Sequence, residues 1–223
     1  PDGVELHGLV SIGVPVVTDP RHKDVIVEVQ YEVIALSTVV LDSAAFGPTA
    51  EDALVELFAQ IPVDNPDGRA GISLHLRHTT QIKLTDCSQY TTTSAFPNDA
   101  YIHIARVCLS STSTGHGASG LGAKKLKVFI PKVDDDPTND DTESEQFWRV
   151  HVFAHELGHS LGLRHGGTDN LNHKPNYVSL MNYRYGAGVD GSDETIAGSA
   201  IRFSANELAA YPLDECNLHE RNS

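Results

Sequence analysis

Positive charge is scarce in this sequence. Lys and Arg together number 16 against 30 Asp and Glu, giving a formal net charge of −14 and a pI near 5.1. Nucleic acid and anionic membrane surfaces both attract the opposite sign, so neither is expected as a partner. Long apolar runs are also missing, and none approaches the roughly 20 residues of a membrane span. Methionine occurs once and cysteine three times, as Cys87, Cys108 and Cys216. No Cys-x-x-Cys pair exists, which argues against a thiolate metal site. One disulfide plus a spare thiol fits an exported protein. A Cys87–Cys108 bridge would tie a long loop to the strand after it; Cys87–Cys216 and Cys108–Cys216 stay open, and three unpaired thiols are the competing reading. Neither an internal repeat nor a leader pattern stands out. A chain that begins at Pro1 is expected to be a mature or trimmed form. The acidic composition suits a secreted enzyme, and a monomer is expected.

What is present suits one domain with its own core: 223 residues, 24.1 kDa, 40% hydrophobic. After an irregular leading segment over 1–20, Asp24 to Leu36 alternates through Val25, Val27, Val29 and Tyr31, which predicts a strand. Gly71 to His78 alternates again through Ile72, Leu74 and Leu76, with His75 and His78 as exposed polar positions. Ala100 to Leu109 and Lys124 to Val133 are two more strands. The Thr- and Ser-rich residues 80–100 read as a surface loop, and Ser110 to Gly122 as a flexible one. Thr49-Ala50-Glu51-Asp52 has the form of a capping box. It opens a helix running to Ile61, where Pro62 stops it. Thr142-Glu143-Ser144-Glu145 opens a second helix with acids at its positive end. Val150, Phe153, Ala154, Leu157 and Leu161 form its apolar stripe. Ser204 to Leu208 resembles an N-capped final helix. The acidic run Asp134 to Asp141 suits calcium by ligand type but lacks the spacing of an EF-hand, and a solvated loop is the favoured reading.

The second helix carries the chemistry. Val150 to His165 contains H-E-x-x-H-x-x-G-x-x-H, with His155, Glu156, His159, Gly162 and His165 in those places. Residues four apart on a helix share a face, so His155 and His159 can point two imidazoles at one ion. At roughly 100° per residue, a continuing helix would carry His165 away from them. Gly162 lets the helix stop, because glycine accepts a left-handed turn. His165 then folds back as a third ligand. Three imidazoles with an open position are the donor set of a catalytic zinc, whose chemistry acidifies water and polarises carbonyls. Glu156, beside the first ligand, is the general base. His151 lies four residues before His155, but it lacks the following Glu and the downstream Gly and His, so it is read as packed beside the site. His173 reads as a surface-loop residue.

This motif, with Ser179-Leu180-Met181-Asn182-Tyr183 downstream, resembles the metzincin clan of zinc endopeptidases. The resemblance implies a Met-turn at Met181 that packs beneath the zinc without binding it. It implies for Tyr183 the role of a Met-turn tyrosine in astacin-like and serralysin-like members, which stabilises the oxyanion. It also implies that an extended substrate adds as a strand to an edge supplied by Lys124–Val133 or the Gly-rich segment before it.

The expected architecture is α/β, a metzincin-like catalytic domain over residues 1–223. A twisted mixed sheet of about four or five strands, a backing helix and the zinc helix would form a lobe over about 1–164. A small irregular C-terminal lobe would follow over about 165–223, with the cleft between them. The expected activity is hydrolysis of peptide bonds in protein or peptide substrates, with Zn2+ as cofactor and Ca2+ as a second candidate ion. The rival is a zinc-dependent module that binds peptides without cutting them.

Overall fold

A computed structural model of the chain describes residues 18–32, 35–36, 39–40, 48–82, 102–109, 116–119, 121–122, 125–130, 142–174, 177–185 and 202–204. Seven strands and two helices occur among them. In chain order they are β1 (Asp24–Glu32), β2 (Ala35–Leu36), β3 (Val39–Val40), α1 (Pro48–Ala59), β4 (Ser73–Ile82), β5 (Ile102–Leu109), β6 (His116–Ser119), β7 (Lys125–Ile130) and α2 (Thr142–Ser160). Five strands make one mixed sheet in the order β4-β1-β5-β7-β6, and β2 pairs with β3 separately. Neighbours run parallel from β4 to β7, while β6 runs antiparallel to β7 at the end of the sheet. The expected α/β class with a mixed sheet is thus observed.

The register explains the alternation of the strands. Val27 sits between Leu76 of β4 and His103 of β5. Val25, Val27 and Val29 point to one face, where Leu54, Leu57 and Phe58 of α1 and Phe153, Ala154 and Leu157 of α2 join them in a single apolar cluster. Burying each such side chain contributes about 1.5–3 kcal/mol. Both helices therefore cover the same face, and they touch each other as well as the sheet. Ile26 is also buried, so the other face of β1 is covered too. On that second face Cys108 packs with Phe129. Cys108 is disulfide-bonded; the two candidate partners, Cys87 and Cys216, lie outside the described residues.

Several expectations shift. α1 ends at Ala59, before Ile61. β6 forms inside Ser110–Gly122, which reads as flexible from composition, because β7 supplies its ladder partner. His75 is not an exposed polar position: its Nε2 lies 2.6 Å from Asp24 Oδ1, and the ring is partly buried. Leu161 drops out of the apolar stripe, since it follows the end of α2 and is exposed; Val152 is buried instead. The acidic run 134–141, the side chain of His78, the leading residues 1–17 and the final helix beyond Ser204 lie outside the described residues. No helix among the described residues is long and apolar enough to cross a membrane.

The connection from α1 to β4 turns on Asn65 and Gly71. Asn65 is buried; its Oδ1 accepts from Lys23 N at 2.9 Å, and its Nδ2 donates to Arg69 O and Gly71 O at 2.8 Å each. Gly71 has φ +96°, and a Cβ there would stand 2.1 Å from the carbonyl oxygen of Ala59. Gly71→Ala therefore adds both backbone strain and a collision with the end of α1. We expect a stability loss of at least about 1–3 kcal/mol, measured by urea denaturation. An unchanged midpoint contradicts this packing.

Candidate metal centre

Helix α2 lies against β7 and β6, with its last turns near the sheet end. Its termination sets the site. Gly162 takes φ +98°, Leu163 N donates to Gly158 O at 2.9 Å, and Gly162 N donates to His159 O at 2.9 Å. These two bonds are the Schellman closure of a helix by a left-handed residue. A Cβ at Gly162 would meet nothing within 4 Å, so the glycine is needed for its torsion and not for room. Past this turn the chain doubles back, and His165 Nε2 comes within 2.9 Å of His159 Nε2.

His155, His159 and His165 each present a ring nitrogen, and the three nitrogens lie within 4.8 Å of one another. The rings pack edge-on for His155–His159 and His159–His165, with centroids 4.7 Å and 4.6 Å apart, and His155 stacks on His165 at 5.3 Å. Two backbone carbonyls select the tautomers. His155 Nδ1 donates to Leu180 O at 3.0 Å, and His159 Nδ1 donates to Leu163 O at 2.8 Å. A carbonyl can only accept, so the proton sits on Nδ1 and the Nε2 lone pair is left for an ion. Burial keeps all three rings neutral: it pushes His155 down to about 3 and lowers His159 and His165 below the usual imidazole value. Neutral imidazoles with converging lone pairs fit a zinc-type cation.

Glu156 is buried beside this triad. Burial raises its carboxyl to about 7, partly offset by a hydrogen bond from Ser119 Oγ to Oε2 at 2.5 Å. Tyr183 stacks its ring on His155 at 5.5 Å and 13°, and lies 4.5 Å from the His165 ring. It is half-buried, and burial together with the nearby Glu156 charge raises its phenol, which therefore stays protonated at neutral pH. Met181 is fully buried beneath the helix. A Cβ on Gly158 would stand 2.5 Å from Met181 Sδ, so the helix backbone and this sulfur approach closely only because residue 158 is glycine.

The segment carrying Met181 and Tyr183 is held by Asn182, which is fully buried. Its Nδ2 donates to Lys174 O and Tyr177 O, and its Oδ1 accepts from His173 N and Arg184 N. Leu180 N also donates to Arg202 O at 2.8 Å. His173 is exposed with φ 60°, and its ring stays 6.5 Å from Tyr183, outside the triad. His151 is buried with its ring centroid 6.1 Å from His155, and it is not one of the three converging residues. Sequence reasoning missed Ser119, Gly117 and Gly158, because each acts by contact across the fold and none carries a local motif.

No protein-family profile matches the chain, and no curated protein matches it significantly. Among solved structures it is similar to the archaemetzincin of Methanopyrus kandleri. That likeness covers 75% of this chain and 84% of the other at 14% identity, with a TM-score of 0.37. Agreement that loose adds nothing to the chemistry, which stands on the residues above.

Two of these imidazoles carry a pH signature. In the metal-free protein His151 is pushed down to about 4 and His155 to about 3, both by burial, from an ordinary 6.5. The folded state thus binds fewer protons than the unfolded chain. The stability these residues contribute is full above pH 6.5 and is lost as pH falls toward those folded values. Each adds a slope of about 1.4 kcal/mol per pH unit inside that window. Urea midpoints of the metal-free protein should fall steadily between about pH 6.5 and pH 4, and His151→Leu should flatten the fall. A slope unaffected by that substitution contradicts a neutral buried His151.

Proposed function

We propose that this protein is a zinc-dependent endopeptidase, with His155, His159 and His165 as the metal ligands. The observation that supports this most is the convergence of three neutral ring nitrogens next to a buried carboxylate. The resemblance of the helix motif and the Met181 segment to metzincins points the same way. A zinc ion held by the triad would supply Lewis-acid chemistry, polarising the scissile carbonyl and acidifying a water.

The chain's own residues would do the rest. Glu156 takes the proton from the attacking water and hands it to the leaving amine nitrogen. Its carboxyl, raised by burial, suits a group that must accept and return a proton near neutral pH. Tyr183, protonated and stacked beside the triad, donates a hydrogen bond to the carbonyl oxygen as negative charge develops there. Met181, packed against Gly158 of the helix, would form the floor of the site. Strand β6 ends the sheet beside Glu156, and an extended peptide pairing with that edge would run its backbone past the carboxylate.

The test uses the purified chain. It should bind one equivalent of zinc and cleave casein or a peptide library. Removal of the metal by a chelator should abolish cleavage, and zinc should restore it. Glu156→Gln should retain zinc and lower kcat by about 10²–10⁴-fold. His165→Ala should fail to keep stoichiometric zinc through gel filtration. Cleavage that survives complete metal removal sinks the proposal. Stoichiometric zinc with peptide binding but no turnover returns the protein to the class of binding modules.

A further inference from the structure

Strand β6 touches Glu156 at two places. Gly117 and Ser119 are two residues apart, so they lie on the same face of the strand. Ser119 Oγ donates to Glu156 Oε2 at 2.5 Å. At Gly117 a Cβ would stand 2.4 Å from Glu156 Cγ and 2.7 Å from both Cδ and Oε1. The glutamate side chain therefore lies flat across the place where any other residue would carry a side chain. Among the described residues Ser119 supplies the single hydrogen bond to this carboxylate. A buried glutamate has several torsions to fix, and among the described residues no side chain of its own helix hydrogen-bonds its carboxylate.

We propose that β6 is the seat of the Glu156 carboxylate, with Ser119 as its positioning residue and Gly117 as the space that admits it. The inference rests on the hydrolase reading for its kinetic consequence, but the seat itself rests on geometry alone. Ser119 engages Oε2 and leaves Oε1 as the oxygen that can meet a water. A proton acceptor displaced by about 1 Å loses on the order of 10²-fold in rate. Ser119 acts only through Glu156 and touches no substrate.

The experiment compares wild type, Ser119→Ala, Ser119→Thr and Gly117→Ala, each zinc-loaded and checked for metal content and thermal midpoint. Ser119→Ala should lower kcat by about 10- to 100-fold with KM within about twofold. Ser119→Thr, which keeps the hydroxyl, should recover most of the loss. Gly117→Ala should lower kcat as well, because the added carbon displaces the carboxylate. Crystal structures of the metal-free wild type and Ser119→Ala give a readout independent of turnover. Wild type should show one Glu156 rotamer bonded to Ser119, and the variant a displaced or divided one. Wild-type kcat in folded Ser119→Ala overturns the proposal, as does a rise in KM with kcat unchanged, or an unmoved Glu156 in the variant crystal. A wild-type protein that cuts nothing refutes the hydrolase reading, and the crystallographic comparison then decides the seat by itself.

Discussion

The centre depends on a helix being made to stop. If α2 ran on past Ser160, the fourth and later residues would continue around its axis and His165 would leave the face shared by His155 and His159. The pair of bonds from Gly162 and Leu163 back to His159 and Gly158 ends the helix within one turn. The same turn does a second job. It places Leu163 O where His159 Nδ1 can reach it, so the residue that closes the helix also sets the proton on the second imidazole. One left-handed residue thus fixes both the position of the third ring and the tautomer of the second.

How much of this could be read from the sequence follows from distance along the chain. The triad, the base and the terminating glycine fall within one short segment, where helical geometry alone dictates who faces whom. The parallel strands were legible because Val25, Val27 and Val29 are buried together on one face. β6 was not legible. His116-Gly-Ala-Ser119 has weak strand propensity and owes its conformation to pairing with β7. Ser119 is 37 residues from Glu156, and no local rule joins them. His75 went astray for a similar reason, since its partner Asp24 belongs to the neighbouring strand. Leu161 keeps the apolar spacing of the stripe but follows the helix end at Ser160, so it faces solvent.

The close approaches in the site share a physical form. At Gly158 the missing side chain lets Met181 sulfur reach the helix backbone, and at Gly117 it lets the Glu156 side chain lie on the strand. Each brings a working residue nearer to rigid backbone than a side-chain contact would allow. Asn182 complements them from the other side, with its side-chain amide bonded to four backbone groups across residues 173 to 184. Scaffold backbone, rather than long flexible side chains, therefore sets most of the geometry around the triad.

The carbonyl of His159 has one more partner. Besides Gly162 N it accepts from Gly122 N at 2.9 Å, in the turn between β6 and β7. That oxygen pins the hairpin carrying Ser119 and Gly117 to the tip of the helix carrying the imidazoles. The two halves of the centre therefore share one anchoring atom. Loosening the last helical turn would therefore release a bond that also holds the hairpin, so the imidazoles and the seat of Glu156 are tied through a single backbone oxygen.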